Sequence, residues 1–193
     1  MKWTKKKWEE AIDKGSIKES HEMVDFGLSL QAKHYFEAAE VLKANNINSS
    51  PYYIMLSLSI ECYLKSIRTT TYWRGSRGIG VMHEKGHDLS QLFTTLSEKY
   101  PQDANYLSKQ YQIRFGGNLS QDLAQNANVF TCQRYPYKID NSIPMNEYIW
   151  NWNPNNVHYW EQEKPDNNLF VNLTALENVA SFFHKELAPR FPE

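Results

Sequence analysis

The chain has 193 residues, with six Trp and twelve Tyr, and a formal net charge of −1. That length suffices for one domain, 1–193, with a substantial core, and so many aromatics exclude a disordered chain. The near-zero charge excludes a global pull towards nucleic acid or anionic membrane, so any such binding must rest on a local patch.

Residues 1–18 are rich in Lys and Glu, and Trp8, Ala11 and Ile12 can line a short flanking helix. Glu9, Glu10 and Asp13 dilute its charge, which weakens a phosphate-binding arm. The start is basic but lacks a following apolar run, so it does not read as a secretory signal. From Ser20, a capping residue, to Ala44 an apolar stripe of Met23, Phe26, Leu30, Ala32, Tyr35, Phe36, Ala39 and Leu42 predicts a long helix. Asn and Ser at 45–50 make a turn. Pro51 suits the first turn of a second helix, carrying Tyr53, Leu56, Ile60, Tyr63, Leu64 and Ile67 three and four apart. Ile54, Met55, Leu58 and Cys62 cover most of its remaining surface, so it should be buried among other helices, as half of a helical hairpin. Its uncharged stretch, ending at Ile60, is shorter than the ~20 residues of a membrane span.

Residues 69–86 then read as a solvated basic loop, with a phosphate-approaching loop as the functional alternative. The stretch contains Arg74 and Arg77, follows Arg68, and has four glycines, Gly75, Gly78, Gly80 and Gly86. Asp88 caps a third helix over 88–100, and Pro101 stops it. One or two helices follow within 103–114 and 119–133, divided by Gly116-Gly117. Residues 136–170 show no period, yet hold Trp150, Trp152 and Trp160, and read as an ordered excursion pinned by its aromatics. Leu173, Leu176, Val179, Ala180, Phe183 and Leu187 mark a last helix over 172–188. The fold expected is all-α: an up-and-down bundle of about five core helices with a Trp-rich excursion before the last. The two cysteines, Cys62 and Cys132, form no C-x-x-C, and the default setting is soluble, reducing and cytoplasmic.

Glu61 and Lys65 lie four apart on one face of the apolar helix. Buried charges cost several kcal/mol unless paired and hydrogen-bonded, so this face meets a polar pocket or partners from elsewhere. His83-Glu84-Lys85-Gly86-His87 matches H-E-x-x-H, which on a helix grips zinc through both imidazoles with the Glu as general base, so a zinc metallohydrolase using His83 and His87 is a remote alternative. Gly86 is a poor helix-interior residue and Asp88 a good cap, so the helix should begin past His87, His83 should stay in the loop, and no stoichiometric zinc or other cofactor is expected. Cys62 with His87 suggests a thiol nucleophile only weakly, since a buried thiol is usually inert.

Ser-Ile-Glu-Cys-Tyr-Leu-Lys-Ser over 59–66, Gly-His-Asp-Leu-Ser-Gln-Leu-Phe over 86–93 and Ala-Asn-Val-Phe-Thr-Cys-Gln-Arg-Tyr-Pro over 127–136 resemble, in their order and spacing, the HEPN domain superfamily. The resemblance covers about residues 20–137 plus the last helix. It implies an all-helical bundle, often dimeric, of the kind found in ribonuclease toxins, antiviral and anti-phage systems and proteins paired with nucleotidyltransferases. Ribonuclease members carry Arg, four to six residues, then His near the start of a late helix. Here Asp140 and Asn141 stand where that His would follow Arg134, while Arg77 and His83 have the spacing in an earlier place. The resemblance therefore implies a non-catalytic or divergent member binding RNA, a nucleotide or a protein partner. Glu61, Lys65, His87, Asp88, Arg134 and Tyr135 would line its polar pocket. The alternative is a metal-independent endoribonuclease using Arg77 and His83, or Arg134 with a non-local His.

Overall fold

The computed structural model describes residues 4–15, 19–74, 76–134 and 171–188. The expected excursion at 136–170, and Tyr135, lie outside them. In chain order the elements are α1 (Lys5–Asp13), β1 (Glu19–Met23), α2 (Phe26–Ala44), α3 (Ser50–Ile67), β2 (Thr69–Arg74), β3 (Arg77–Met82), α4 (Leu89–Lys99), α5 (Pro101–Phe115), α6 (Leu119–Gln125), α7 (Val129–Arg134) and α8 (Leu173–Leu187). The described residues are mostly helical, with one small three-stranded sheet.

The core forms around α3. Tyr52, Leu56, Ile60, Tyr63 and Leu64 are buried on it, with Leu89, Phe93, Leu107, Tyr111, Leu123, Phe182 and Phe183 supplied by other helices. Each large apolar side chain so buried contributes roughly 1.5–3 kcal/mol relative to exposure. The helix α2 lies against α3 through Ala32 and Ala39, both fully buried; small side chains let the two backbones approach. The Asp25 N–H donates to the Ser66 carbonyl at 2.8 Å and Ser59 Oγ to the Ala32 carbonyl at 2.9 Å. These cross-links run in opposite chain order, so the pair is an antiparallel hairpin. The last helix, α8, closes the core, its first turn capped by Asn172 Oδ1 accepting from the Ala175 N–H.

Two expectations need correction. Residues 69–82 are not an irregular loop but a β-hairpin. Thr69-Thr-Thr-Tyr-Trp is rich in β-branched and aromatic residues, the composition of a strand. The third strand is 19–23, so the sheet order is β1-β2-β3, antiparallel throughout. The helix predicted from Ser20 accordingly starts only at Phe26, capped by Asp25 Oδ1 accepting from the Leu28 N–H at 3.0 Å. Met23 and Phe26, assigned to the buried stripe, are instead 42% and 55% exposed. The flanking helix α1 packs on the sheet, with Ala11 buried against Tyr72 beside Ile12, Ile79 and Met82. Pro101 ends α4 as expected but also opens α5, where its fixed φ suits the first turn.

Candidate functional site: a buried carboxylate and the face above it

Glu61 and Lys65 face inward on α3, with side chains only 6% and 7% exposed, and Lys65 Nζ donates to Glu61 Oε1 at 2.7 Å. A second donation runs from Lys65 Nζ to the Gly86 carbonyl, also at 2.7 Å. Gly86 has φ +98°, and a Cβ there would meet nothing within 4 Å. Glycine is favoured at this position by its backbone angle, not by space. That turn aims the carbonyl at Lys65 and brings His87 to the other carboxylate oxygen.

His87 Nδ1 lies 2.9 Å from Glu61 Oε2. An ionised carboxylate only accepts, so Nδ1 carries the hydrogen and, in the neutral ring, Nε2 is the open acceptor. The imidazole is 52% exposed, so a buried base holds a ring that meets solvent. Phe130 of α7 packs on that ring at a centroid separation of 4.6 Å, and the Arg134 guanidinium stands 5.6 Å from the Phe130 centroid. Imidazole, phenyl and guanidinium thus form a row along the surface above Glu61.

Of the residues expected to share a pocket, Glu61, Lys65 and His87 are joined directly, and Arg134 reaches them through Phe130. Asp88 has a different role: its Oδ1 accepts from the Gln91 N–H at 2.8 Å and caps α4. Phe130 was missed by sequence reasoning; its signal was the four-residue spacing to Arg134, which places both on one face of a helix.

The alternative sites fare differently. Arg77 opens β3 and His83 follows its far end, so six strand residues at ~3.3 Å each put them about 20 Å apart, too far to act on one phosphate. His83-Glu84-Lys85-Gly86 is irregular chain, not helix, so the two imidazoles are not stacked a turn apart; His83 Nδ1 sits 2.9 Å from the Glu84 carbonyl. Among the described residues no group of three or more His, Cys, Asp or Glu could hold a metal ion. Cys62 is half-buried, and burial, with the Glu61 charge adding to it, pushes its thiol up to about 11. It stays protonated at neutral pH and is a poor nucleophile.

On the other side of Lys65 is a cleft of about 790 Å³, between α3, the hairpin, the 83–85 segment and α4. Its wall includes His83, Glu84 and Lys85. None of the helices among the described residues is long and apolar enough to cross a membrane. No protein-family model matches the chain, and no curated protein or solved structure matches it.

Proposed function

We propose that the protein is a HEPN-like module that binds single-stranded RNA, or a nucleotide as its smallest unit, through His87, Phe130 and Arg134. The observation that carries this is the row of rings and guanidinium fixed above a buried ion pair. A phenyl and an imidazole offer faces on which unstacked bases pile, and a guanidinium offers a fork to phosphate. The resemblance at 59–66, 86–93 and 127–136 supports it further, since those three stretches supply Glu61, Lys65, His87, Phe130 and Arg134. Fluorescence anisotropy with a labelled single-stranded RNA tests the proposal. Stacking is worth about 1–3 kcal/mol per base, so Phe130→Leu should weaken binding by roughly 5- to 150-fold, and Arg134→Ala should weaken it and flatten its salt dependence. No binding by the wild type, or variants that bind as well, would sink it.

A second reading is favoured by one contact. Glu61 against His87 Nδ1 leaves Nε2 facing outward, the arrangement that orients a general base. With Arg134 stabilising the phosphate, a metal-independent endoribonuclease could run on the same residues. Incubation with mixed RNA at neutral pH and high protein concentration separates the two: cleavage lost in His87→Gln establishes the enzyme, and intact RNA leaves the binding module. In either form the protein is proposed to act as a homodimer, which sedimentation measures directly.

A further inference from the structure

We infer that the cleft behind Lys65 is a second binding site, for a small organic anion with an apolar body and a carboxylate or phosphate head. This goes beyond the RNA-binding proposal and uses the residues of the H-E-x-x-H match that the first site leaves aside. The cleft has about 790 Å³, within the range of roughly 300–1,000 Å³ typical of small-molecule sites. Leu64, Met82, Leu92 and Leu96 give it an apolar lining, with the hydroxyls of Thr70 and Thr95 beside them.

The charge is arranged along one continuous edge. Arg68 donates through Nε to Asp103 Oδ2 at 2.8 Å and lies over the Tyr100 ring at 5.2 Å. Its two Nη groups make no hydrogen bond among the described residues. Tyr100 follows Lys99, Lys99 pairs with Glu84, and Glu84 precedes Lys85. Lys85 makes no ion pair among the described residues. The wall thus carries four cations, Lys65, Arg68, Lys85 and Lys99, against Glu22 and Glu84. Lys65 uses two of its three donors on Glu61 and Gly86 and serves as scaffold. Glu22 accepts from the Tyr100 hydroxyl at 2.5 Å and is held by it on the Arg68 side of the wall, its charge set against that of Lys85. What is left open to a ligand is the free end of a guanidinium fork, held in place by an acid and a ring, and one ammonium on the same wall, that of Lys85. A fork matches a carboxylate or phosphate in two bonds at once, and an ammonium adds a point charge. The apolar lining leaves free inorganic ions the weaker ligands.

The full-length protein is titrated with 8-anilinonaphthalene-1-sulfonate, an aromatic body with an anionic head, and the bound dye is then competed with phenyl phosphate, 3-phenylpropanoate, inorganic phosphate and phenol. The expected result is saturable binding of one dye per chain. Phenyl phosphate or 3-phenylpropanoate should displace it at least tenfold more effectively than inorganic phosphate or phenol, and which of the two wins names the head group. Lys85→Glu should weaken binding at least tenfold, Lys85→Arg should restore it, and the exposed Lys109→Glu on α5 should leave it unchanged. RNA binding by Lys85→Glu should equal that of the wild type, so failure of one site is read separately from failure of the other. Dye binding that is unsaturable, insensitive to Lys85→Glu, equally sensitive to Lys109→Glu, or lost in Phe130→Leu would overturn the inference. So would displacement by phenol as effective as by the anions.

Discussion

Two carboxylates in this protein each accept two hydrogen bonds from other groups, and they differ mainly in burial. Glu61 takes Lys65 and His87 inside the fold, at 6% exposure. Glu177 on α8 takes the Tyr52 hydroxyl at 2.6 Å and Lys43 Nζ at 2.9 Å near the surface, at 31% exposure. Both tie separate elements together. Water screens the second carboxylate and is kept from the Glu61–Lys65 pair, so the same chemistry has different consequences when a partner is lost. The buried cluster fixes the 83–88 segment against α3 and so places the His87 imidazole at the surface. The exposed cluster fastens three helices and leaves its members replaceable.

The sharpest way to break that contrast is Lys65→Met. Removing the ammonium leaves a buried carboxylate with only the His87 hydrogen bond, and breaking such a buried pair costs about 3–5 kcal/mol. Chemical denaturation should register that loss. Glu61→Gln combined with Lys65→Met should recover part of it, because neither charge then remains buried. A double variant no better than the single one would show that the cost lies in packing. Next comes Gly86→Ala. A non-glycine residue at φ +98° costs on the order of 1–3 kcal/mol, and the displaced carbonyl should also loosen His87, seen as a changed imidazole resonance. In the exposed cluster the effects shrink. Tyr52→Phe keeps the buried ring and removes one bond to a carboxylate, about 1–2 kcal/mol. Lys43→Ala should cost under about 1 kcal/mol and lose its effect at high salt; a loss as large as that of Lys65→Met would abolish the distinction.

The smallest expected effect depends on pH. His184, seven residues beyond Glu177 on α8, stacks on Phe36 at 4.2 Å, and its Nδ1 lies 3.1 Å from the Tyr63 hydroxyl. Burial lowers its affinity for a proton, opposed by Glu37 and Glu40 and aided by Lys33 and Lys185. The unfolded chain therefore binds the proton more readily. Its contribution to stability is whole above the unfolded value of about 6.5 and is lost as pH falls through the lower folded value. Thermal melts below pH 6.5 should decline more steeply for the wild type than for His184→Gln.

The sequence by itself determined the helical part of this protein and the buried pair within it. Three- and four-residue apolar spacing located α3, α4 and α8, because a helix repeats its faces locally. Four-residue spacing paired Glu61 with Lys65, and the identities of Gly86 and Asp88 placed the start of α4 beyond His87. All of that is information contained within a turn or two of chain. Only the tertiary structure decided the rest. Glycines and arginines disguised 69–82 as a loop, and its strand character is fulfilled by pairing with 19–23, some fifty residues away. The cleft depends on that hairpin, so it was invisible with it. Phe130 likewise became part of the site only when α7 packed beside the end of the 83–88 segment. Local periodicity reads off one element's own faces; which faces meet is settled by long-range burial, to which no short window of sequence has access.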